Sequence, residues 1–476
     1  LHNDERRVIA RLFALGGESV LHDIIEQVRE FPEEEVETTL HDVLSGFENR
    51  HENIADVFEE HFQTVAGMVG WEGELPKSRR LLIGSYFTTE YSIEAAALFN
   101  PSIVPHPDQS GVPGGGLRFI MSLRATGEGH VSSAVFHTGM IAPDGTMTLD
   151  CPPRFAKPMR RAPDQYYHKD LFRRKLSEMA GNVASMDMVL NKLEDRFTLQ
   201  ELKQTIMEVQ QAGYKPPFFN ETMESMVWLA HSNYQLELSR EAGIADIVLF
   251  PQSDSEAHGI EDIRLVRFVD DDGSVTYYGN YTAHNEFHVL PMLLETTDFH
   301  QVAIHTLNGA CARNKGLALF PRRIGGHYVM CSRIDGRNLY LMYSDYVHFW
   351  ESAELLARPE FPWEMMLIGN CGSPIETEAG WLLLTHGVGP MRRYCIGAML
   401  LDLDDPAKII GRLREPLIAP AESEREGYTP NVVYSCGSLV HNDRLYLPYG
   451  ISDKTTTACF IELDPLINRL LDSPPH

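Results

Sequence analysis

The spacing of hydrophobic side chains changes twice along the chain and divides it into helical and strand-forming parts. Near the N-terminus, apolar residues recur at helical intervals along 20–28, then along 36–47 and again along 54–62. This period of about 3.6 residues is typical of one buried helix face. Pro32 suits the first turn of the second helix. We predict that residues 1–75 form an N-terminal helical domain.

From about residue 80 the pattern is typical of short β-strands separated by turns. Several apolar or aromatic stretches end in a polar or small residue and are followed by charged turns. Such recurrence favours a β-propeller or a β-sandwich, and the uneven spacing does not decide between them. We predict a β-domain over residues 76–470. The recurring stretches are 118–123, 276–282, 338–344, 381–386 and 444–450.

A second helical block interrupts the strands at about residues 164–239. Apolar residues there return to helical spacing, and many of them are methionines, which are typical of core packing. Thr198 and Glu201 form a capping box, in which each side chain binds the other's backbone amide at a helix start. We predict a helical insertion within the β-domain, and we expect both helical parts to pack on it or on a neighbouring subunit.

The charge of the chain excludes some partners. Lys and Arg total 41 against 67 Asp and Glu, a formal net charge of −26, whereas nucleic acids and anionic membranes require a basic surface. The seven cysteines are scattered without a C-x-x-C pair, which indicates reduced thiols and a cytoplasmic protein. No apolar run is long enough for a membrane span. The chain begins at Leu1, so removal of a signal peptide stays open.

A series of short motifs carries a resemblance to a known family. The segment 256–264, EAHGIEDIR, is similar to the G-[VI]-E-D-x-R signature of glycoside hydrolase family 130, with Ile263 in place of the usual proline. Seven further matches occur in the family's order, so the resemblance extends over about residues 80–465. They are FNPS at 99–102, YTA at 281–283, ALFPRRI at 318–324, GNCGSPI at 369–375, THGV at 385–388, GAMLLDLDDP at 397–406 and PNVVYSCG at 430–437.

This resemblance implies a fold and an activity. Members of the family are five-bladed β-propellers with the active site at the central channel, and they act on β-mannosides. Most are inverting phosphorylases that form α-mannose 1-phosphate, and a smaller group hydrolyses β-1,2-mannosides. We therefore predict a mainly β protein, a five-bladed β-propeller with helical additions, that cleaves β-1,2- or β-1,4-linked manno-oligosaccharides with inorganic phosphate. No cofactor or metal is implied, and we expect a homo-oligomer.

The resemblance also assigns the acid and the sugar-binding residues. Asp262 matches the family's proton donor, which relays its proton through a hydroxyl of the bound mannose. From local sequence alone, Asp262 could instead cap a turn and pair with Arg264. Asn285 is a further possible partner of sugar hydroxyls. The predicted sugar-binding residues are Asn100, Ser102, Arg264, Tyr281 and His284.

A phosphorylase needs cations and hydrogen-bond donors to hold phosphate. Arg124 matches a family arginine at the sugar–phosphate junction, and Arg323 stands where phosphorylases usually carry lysine. For each arginine the alternative is a solvated surface charge, and for His386 it is a core histidine at a strand end. The predicted phosphate-binding residues are Arg124, Arg313, Arg323, His386 and Tyr394.

Two glutamates keep hydrolysis open as an alternative. An inverting hydrolase needs a second carboxylate to activate water, whereas a phosphorylase needs only the acid. Glu376 or Glu426 is the candidate base if its side chain reaches the phosphate position. A third possibility is a propeller that binds glycans without catalysis, although such a module needs neither the matched acid nor the cations.

Overall fold

The computed structural model describes residues 1–163, 165–179, 182–211, 215–284 and 289–474. These residues form several antiparallel β-sheets, with helices concentrated in two blocks, so the predicted mainly β class is confirmed. The helices are α1 (Glu18–Arg29), α2 (Glu33–Phe47), α3 (Ile54–Met68), α4 (Lys77–Tyr86), α5 (Lys169–Glu178), α6 (Val183–Leu190), α7 (Leu199–Gln211), α8 (Phe219–Ser232) and α9 (Leu463–Leu471).

The strands are short, as the sequence pattern predicts. Those before α5 are β1 (Val8–Leu12), β2 (Thr88–Ser92), β3 (Ala97–Pro105), β4 (Leu117–Thr126), β5 (Ser132–Ile141), β6 (Met147–Leu149), β7 (Lys157–Pro158), β8 (Arg160–Arg161) and β9 (Tyr166–His168). The next are β10 (Arg196–Thr198), β11 (Tyr234–Glu237), β12 (Ile247–Leu249), β13 (Gly259–Val269), β14 (Val275–His284), β15 (Val289–Thr296), β16 (Gln301–Thr306), β17 (Ala318–Leu319), β18 (Tyr328–Ser332), β19 (Leu339–Ser344) and β20 (Ala353–Ala357). The last are β21 (Leu367–Asn370), β22 (Ile375–Thr377), β23 (Gly380–Val388), β24 (Tyr394–Leu401), β25 (Ile409–Arg412), β26 (Val433–Tyr434), β27 (Leu439–His441), β28 (Arg444–Ile451) and β29 (Thr455–Glu462).

Five groups of antiparallel strands follow one another along the chain. The first group, β3–β6, and the second, β13–β16, belong to one twelve-stranded sheet, where β13 meets β5 at the parallel pairing of Gly259 with Ser132. The groups β17–β20, β21–β25 and β26–β29 form separate sheets. The five-bladed propeller itself stays a prediction.

The hydrophobic core lies between successive groups. Clusters of buried residues join the first group to the second, the second to the third, the third to the fourth and the fourth to the fifth. A further cluster joins the last group to the first, because Leu439 and Tyr446 pack with Ile103 and Phe119. Backbone bonds reinforce this contact, for example from the amide of Cys436 to the carbonyl of Pro101, 2.8 Å.

The N-terminal helical unit differs in extent from the prediction. Helices α1–α3 lie where the apolar stripes place them, but the buried residues of α4 belong to the same core, so the helical unit passes the predicted boundary at residue 75. Residues 8–12 form β1, which pairs antiparallel with β2. The unit packs on the β-domain through an ion pair of Arg7 with Glu94 and through Arg11 over the ring of Phe250.

Helices lie in the segment where the insertion is predicted. Helices α5–α8 share one buried cluster between β8 and β11. The capping box is present, with the Thr198 amide 2.7 Å from Glu201 Oε2 and the Glu201 amide 3.2 Å from Thr198 Oγ1. Lys175 of α5 joins the insertion to the β-domain, since its Nζ donates to the carbonyl of Thr306 at 2.9 Å.

Within the described residues, the helices are all too short or too polar to cross a membrane. The seven cysteines all lie in the described ranges and are unpaired there.

Candidate active site

Asp262 lies at a bulge in β13. The pairing of β13 with β14 shifts register between Glu261 and Arg264, and Asp262 has a φ of 57°, in the left-handed region. Side chains of a regular strand alternate between its faces, whereas this bulge directs both Glu261 and Asp262 toward Arg124 of β4. A non-glycine residue in this conformation costs about 1–3 kcal/mol, and such strain clusters at functional sites.

A second bulge brings Asn100 to the same carboxylate. The pairing of β3 with β4 shifts register between Phe99 and Ser102, and Asn100 has a φ of 51°. Its Nδ2 donates to Asp262 Oδ1 at 2.7 Å, while Arg124 Nη1 lies 3.5 Å from the same oxygen. Asn100 Oδ1 is buried and has no hydrogen-bond partner among the described residues. The two bulges therefore fix one face of Asp262 and leave an acceptor beside it.

Arg264 connects this carboxylate to the last two sheets. Its guanidinium is buried, and its Nε donates to Asn370 Oδ1 at 3.1 Å, at the end of β21. Its Nη2 donates to the Tyr434 hydroxyl of β26. The Nδ2 of Asn370 donates to the carbonyl of Gly316 at 2.5 Å, which adds the loop before β17. One arginine thus gathers residues from the second, third, fourth and fifth groups.

His386 of β23 lies next to Asn370 and is buried. Its Nε2 is 3.1 Å from Arg333 Nη1, and since arginine can only donate, Nε2 must be the acceptor. Its Nδ1 then carries the proton and donates to the carbonyl of Asn370 at 2.9 Å. Burial and the charges of Arg333 and Arg264 hold the pKa of His386 well below its usual value, so the ring is neutral. The Tyr394 ring stacks parallel to it, with the centroids 6.1 Å apart.

Two more charged residues complete the cluster. Lys315 Nζ lies 2.7 Å from Glu261 Oε2, so Glu261 bridges Lys315 and Arg124. Asp453, in the turn after β28, is a second carboxyl near Asp262. Burial and the negative charge of Asp262 raise the pKa of Asp453, against the opposing effects of a hydrogen bond from Thr429 and the charge of Arg124.

Positively charged side chains outnumber the carboxyls in this cluster. Burial opposes ionisation of Asp262, but the charges of Arg124 and Arg264, the hydrogen bond from Asn100 and the charge of Lys315 outweigh it and lower its pKa. Asp262 is therefore a carboxylate in the free protein. Four cationic side chains, including Arg333, face three carboxyls, one of which has a raised pKa. The site therefore has local positive charge within a molecule of net charge −26.

The structure places three predicted ligands away from this cluster. Arg323 pairs with Asp270, with Nε 2.6 Å from Oδ1. Asp270 lies just beyond the C-terminal end of β13, whereas the bulge lies near the N-terminal end of that strand. At about 3.3 Å per residue, the pair is roughly 20 Å from the bulge. This contradicts the predicted role of Arg323 in a pocket with Arg124. Tyr281 is buried and donates to Glu256 Oε1 at 2.6 Å, so it is a core residue and no sugar platform. Ser102 is also buried, and its hydroxyl accepts from the Leu265 amide at 3.0 Å, which holds β3 against β13.

The predicted hydrolytic base Glu376 is also misplaced. Both of its oxygens accept from Arg322, at 2.6 and 2.8 Å, in an exposed ion pair. Glu376 opposes Trp381 on β23, five residues before His386 and therefore roughly 16 Å from it. A carboxylate held there cannot activate water at the cluster.

The remaining predicted residues lie at the edge of the site or on the surface. His284 lies at the edge of the site, because its strand partner is Gly259, which also pairs with Ser132. The hydroxyl of Ser132 accepts a hydrogen bond from Arg124 Nε at 2.9 Å. Arg313 and Glu426 are exposed. Asn285 lies outside the described residues.

Sequence reasoning missed six members of the cluster. Glu261 and Asn370 stand inside quoted motifs, where they were given no role. The other four are Lys315, Arg333, Asp453 and Tyr434. Lys315 and Arg333 lie outside the recognised motifs, while Asp453 follows the last of them and Tyr434 was quoted within a motif without a role. The available signal was local: each of these four stands in or beside a turn that follows or precedes an apolar strand. Such positions are common in a β-protein, so the pattern alone does not single them out.

The chain is similar to several known proteins. A family model of glycoside hydrolase family 130, described as β-1,4-mannooligosaccharide phosphorylase, matches residues 224–471, just over half of the chain. β-1,2-Mannobiose phosphorylase of Listeria innocua is 31% identical over 229 residues, which cover 47% of this chain and 63% of that protein. 1,2-β-Oligomannan phosphorylase of Thermoanaerobacter is 32% identical over 228 residues, 45% of this chain and 72% of that one. A solved structure of the Listeria enzyme with β-1,2-mannobiose has a TM-score of 0.48 and 18% identity over 80% of this chain and 93% of its own. Since the family model covers more than half of the sequence, the chain belongs to glycoside hydrolase family 130.

Proposed function

We propose that this protein is an inverting β-mannoside phosphorylase, which cleaves a β-1,2- or β-1,4-linked manno-oligosaccharide with inorganic phosphate and releases α-mannose 1-phosphate. The names of the two relatives, a β-1,2-mannobiose and a 1,2-β-oligomannan phosphorylase, support the substrate class. The description of the family model supports the β-1,4 alternative. A cytoplasmic location and a homo-oligomeric state stay predictions of the sequence.

We also propose that the five strand groups are the blades of a propeller with the charged cluster at its centre. The support is the set of shared cores between successive groups, together with the contact of the last group with the first. Residues from all the groups meet in the cluster, with Asn100 and Arg124 from the first and Asp262, Asn370 and Tyr434 from later ones. A propeller channel is the place where separate blades meet.

The observation that carries the activity is one acid surrounded by excess cations. Arg124, Arg264 and Lys315 act on Asp262, and Arg333 lies beyond Arg264, next to His386. Arg333 Nε is buried without a hydrogen-bond partner among the described residues, as is Asn100 Oδ1. Buried polar atoms of native proteins are usually paired. A free guanidinium donor fits a phosphate oxygen, and a free amide acceptor fits a sugar hydroxyl.

The mechanism follows from this charge distribution. A phosphate oxygen attacks C1 of the mannose from the face opposite the leaving sugar, the C1–O bond breaks, and the departing oxygen takes a proton from Asp262 through a mannose hydroxyl. In the free protein the cations keep Asp262 ionised. Phosphate bound to the same cations adds negative charge and raises the pKa of Asp262, since a nearby like charge disfavours ionisation. Binding of the nucleophile thus prepares the acid.

Hydrolysis is the second candidate, and Asp453 is the observation that favours it. An inverting hydrolase requires two carboxyls on either side of the bond, and Asp453 is a carboxyl near Asp262 that sequence reasoning did not identify. The four cationic side chains of the cluster outnumber its three carboxyls, which supports phosphorolysis. A glycan-binding module without catalysis would not need the buried charges of this cluster, which cost desolvation free energy.

Product analysis with and without phosphate distinguishes these functions. β-1,2- and β-1,4-mannobiose are incubated separately with the enzyme in phosphate and in a phosphate-free buffer, and products are identified by ¹H and ³¹P NMR. We expect α-mannose 1-phosphate and mannose only when phosphate is present. Equal rates of mannose release in both buffers, without sugar phosphate, would replace the proposal with hydrolysis.

Variants connect the reaction to Asp262. The change Asp262→Asn keeps the shape but removes the acid, so kcat is expected to fall by about 10²–10⁴-fold. Glu376→Gln, which alters the exposed pair with Arg322, is the control and is expected to keep full activity. An unchanged rate in Asp262→Asn would exclude this residue as the proton source.

A further inference from the structure

A cluster of two histidines and a glutamate lies where the twelve-stranded sheet meets the third strand group. Glu295 is on β15 and His305 on β16, and since Glu295 opposes Ala303, the two side chains share one face of the sheet. His348 comes from the loop after β19. His305 Nε2 and His348 Nε2 each lie 3.9 Å from Glu295 Oε2. One potential ligand atom of each residue lies within 4.8 Å of the others.

The backbone holds the third residue in place. The amide of Asn308 donates to the carbonyl of His348 at 2.9 Å, and Asn308 also forms a parallel bridge with Phe349. The rings of His305 and His348 have their centroids 4.6 Å apart. The three side chains therefore converge from two strands and a loop that the fold fixes independently.

The three side chains are close to one another without being bonded. His305 Nε2 and His348 Nε2 each lie 3.9 Å from Glu295 Oε2, beyond ordinary hydrogen-bond distance. His348 Nε2 is buried and has no hydrogen-bond partner among the described residues. An unpaired buried polar group is costly, and it calls for a ligand.

We propose that Glu295, His305 and His348 bind one divalent transition-metal ion, for which zinc is the best fit. Neutral imidazoles and a carboxylate are ligands that zinc takes, and three protein ligands with water complete a tetrahedral site. Zinc–ligand bonds of about 2.0–2.1 Å require the ligand atoms to be roughly 3.3 Å apart. The present 3.9 Å separations from Glu295 need only a small contraction.

The neighbouring Lys175 does not prevent this. Its Nζ donates to Asn233 Oδ1 at 2.7 Å and to the carbonyl and hydroxyl oxygens of Thr306. These three acceptors occupy the donors of Lys175, so the lysine does not compete with a metal ion for Glu295. Burial lowers the pKa of Lys175 to about 7. Much of it is neutral at neutral pH, and binding of a cation nearby would favour that neutral form.

The metal site would have a structural role and link two strand groups. Glu295 opposes Tyr278 on β14, whereas the bulge that carries Asp262 lies opposite residues 280–282 of the same strand, on its other side. The metal thus joins the second strand group to the loop of the third without touching the catalytic cluster. It is expected to stabilise the folded chain, because a ligand that binds only the native state raises its stability.

Zinc binding is measured directly on the full chain. The protein is stripped with EDTA, desalted, loaded with ZnCl₂ and desalted again, and its zinc content and melting temperature are determined. Cobalt(II) substitution gives a visible absorption spectrum as a second readout. We expect one zinc per chain, a tetrahedral cobalt spectrum and a higher Tm with zinc.

The variants Glu295→Gln and His348→Gln are expected to lose at least nine-tenths of the bound zinc and the Tm increase. His327→Gln is the matched control, because His327 pairs with Asp345 at 2.7 Å in an exposed position without a third ligand. If His348→Gln fails to fold, Glu295→Gln, an isosteric change at a partly exposed position, decides the question. A wild-type protein without zinc, or variants that retain it, would overturn the proposal.

Discussion

Lys315 and Arg323 are both cations close to a recognised motif, but the structure gives them different partners. Lys315 contacts Glu261 within the cluster, whereas Arg323 pairs with Asp270 at the far end of β13. We expect Lys315→Met to raise the KM for phosphate by about 10- to 100-fold, as loss of one charge-assisted hydrogen bond costs about 1.5–3 kcal/mol. Arg323→Met is the control and should leave it unchanged; initial rates at varied phosphate measure both. Equal KM values in the two variants would remove Lys315 from the phosphate site.

The buried amine of Lys175 should make stability depend on pH. Its pKa is lowered by burial to about 7 in the folded state, against about 10.4 in an unfolded chain. Between these values the unfolded state binds more protons, so stability rises as pH increases from about 7 to 10. In Lys175→Met this rise should be smaller, as measured by urea unfolding in EDTA at pH 7, 8 and 9. Lys192→Met, which removes an exposed ammonium, controls for the lost charge; a slope that is unchanged in Lys175→Met would contradict the argument.

The location of a residue at the site was predictable where a motif and the strand geometry coincide. Asp262, Asn100, Arg124, Arg264 and His386 were expected at the site, and the structure brings them together. The predicted positions of Arg323 and Glu376 were wrong for one physical reason. A motif identifies a strand, but the ion-pair partner of a side chain determines at which end of the strand that side chain lies. Only tertiary pairing, with Asp270 and with Arg322, supplies that information.

At the scale of elements, the helices were the more predictable part. The stripes of α1–α3 and the capping box at Thr198 depend on residues close in sequence, so the pattern itself specifies them. The bulges at Asn100 and Asp262 were not predictable, because a bulge is defined by the register of the partner strand. The strand β1 was missed because it pairs with β2, about 80 residues later in the chain.

The packing of α3 against α4 depends on one glycine. A Cβ at Gly84 would lie 1.8 Å from the carbonyl oxygen of Phe58, which no rotamer change relieves since the obstacle is backbone. We expect Gly84→Ala to lower the free energy of unfolding by about 1–3 kcal/mol or more. The control Gly46→Ala, in α2 with open space around it, should instead stabilise by about 0.5 kcal/mol. Denaturant unfolding measures both, and two changes of the same sign would refute the close contact.

At the scale of the whole molecule, the net charge and the local site oppose each other. The chain carries −26, so phosphate is repelled at long range, while the cluster of Arg124, Arg264, Arg333 and Lys315 attracts it at short range. Salt screens interactions between exposed charges beyond about 10 Å at 0.1 M ionic strength, and it screens buried ones much less. Added salt therefore weakens the long-range repulsion of phosphate more than its short-range attraction to the cluster.

This difference gives a prediction with a definite sign. Raising NaCl from about 10 to 150 mM should lower the KM for phosphate, because the long-range repulsion weakens while the buried contacts of Arg264 and its neighbours persist. The KM for the uncharged mannoside should not change, and it serves as the internal control. Initial rates at fixed pH in a zwitterionic buffer measure both constants. A KM for phosphate that rises steadily with salt would mean that exposed cations dominate binding, and it would place the phosphate site outside the buried cluster.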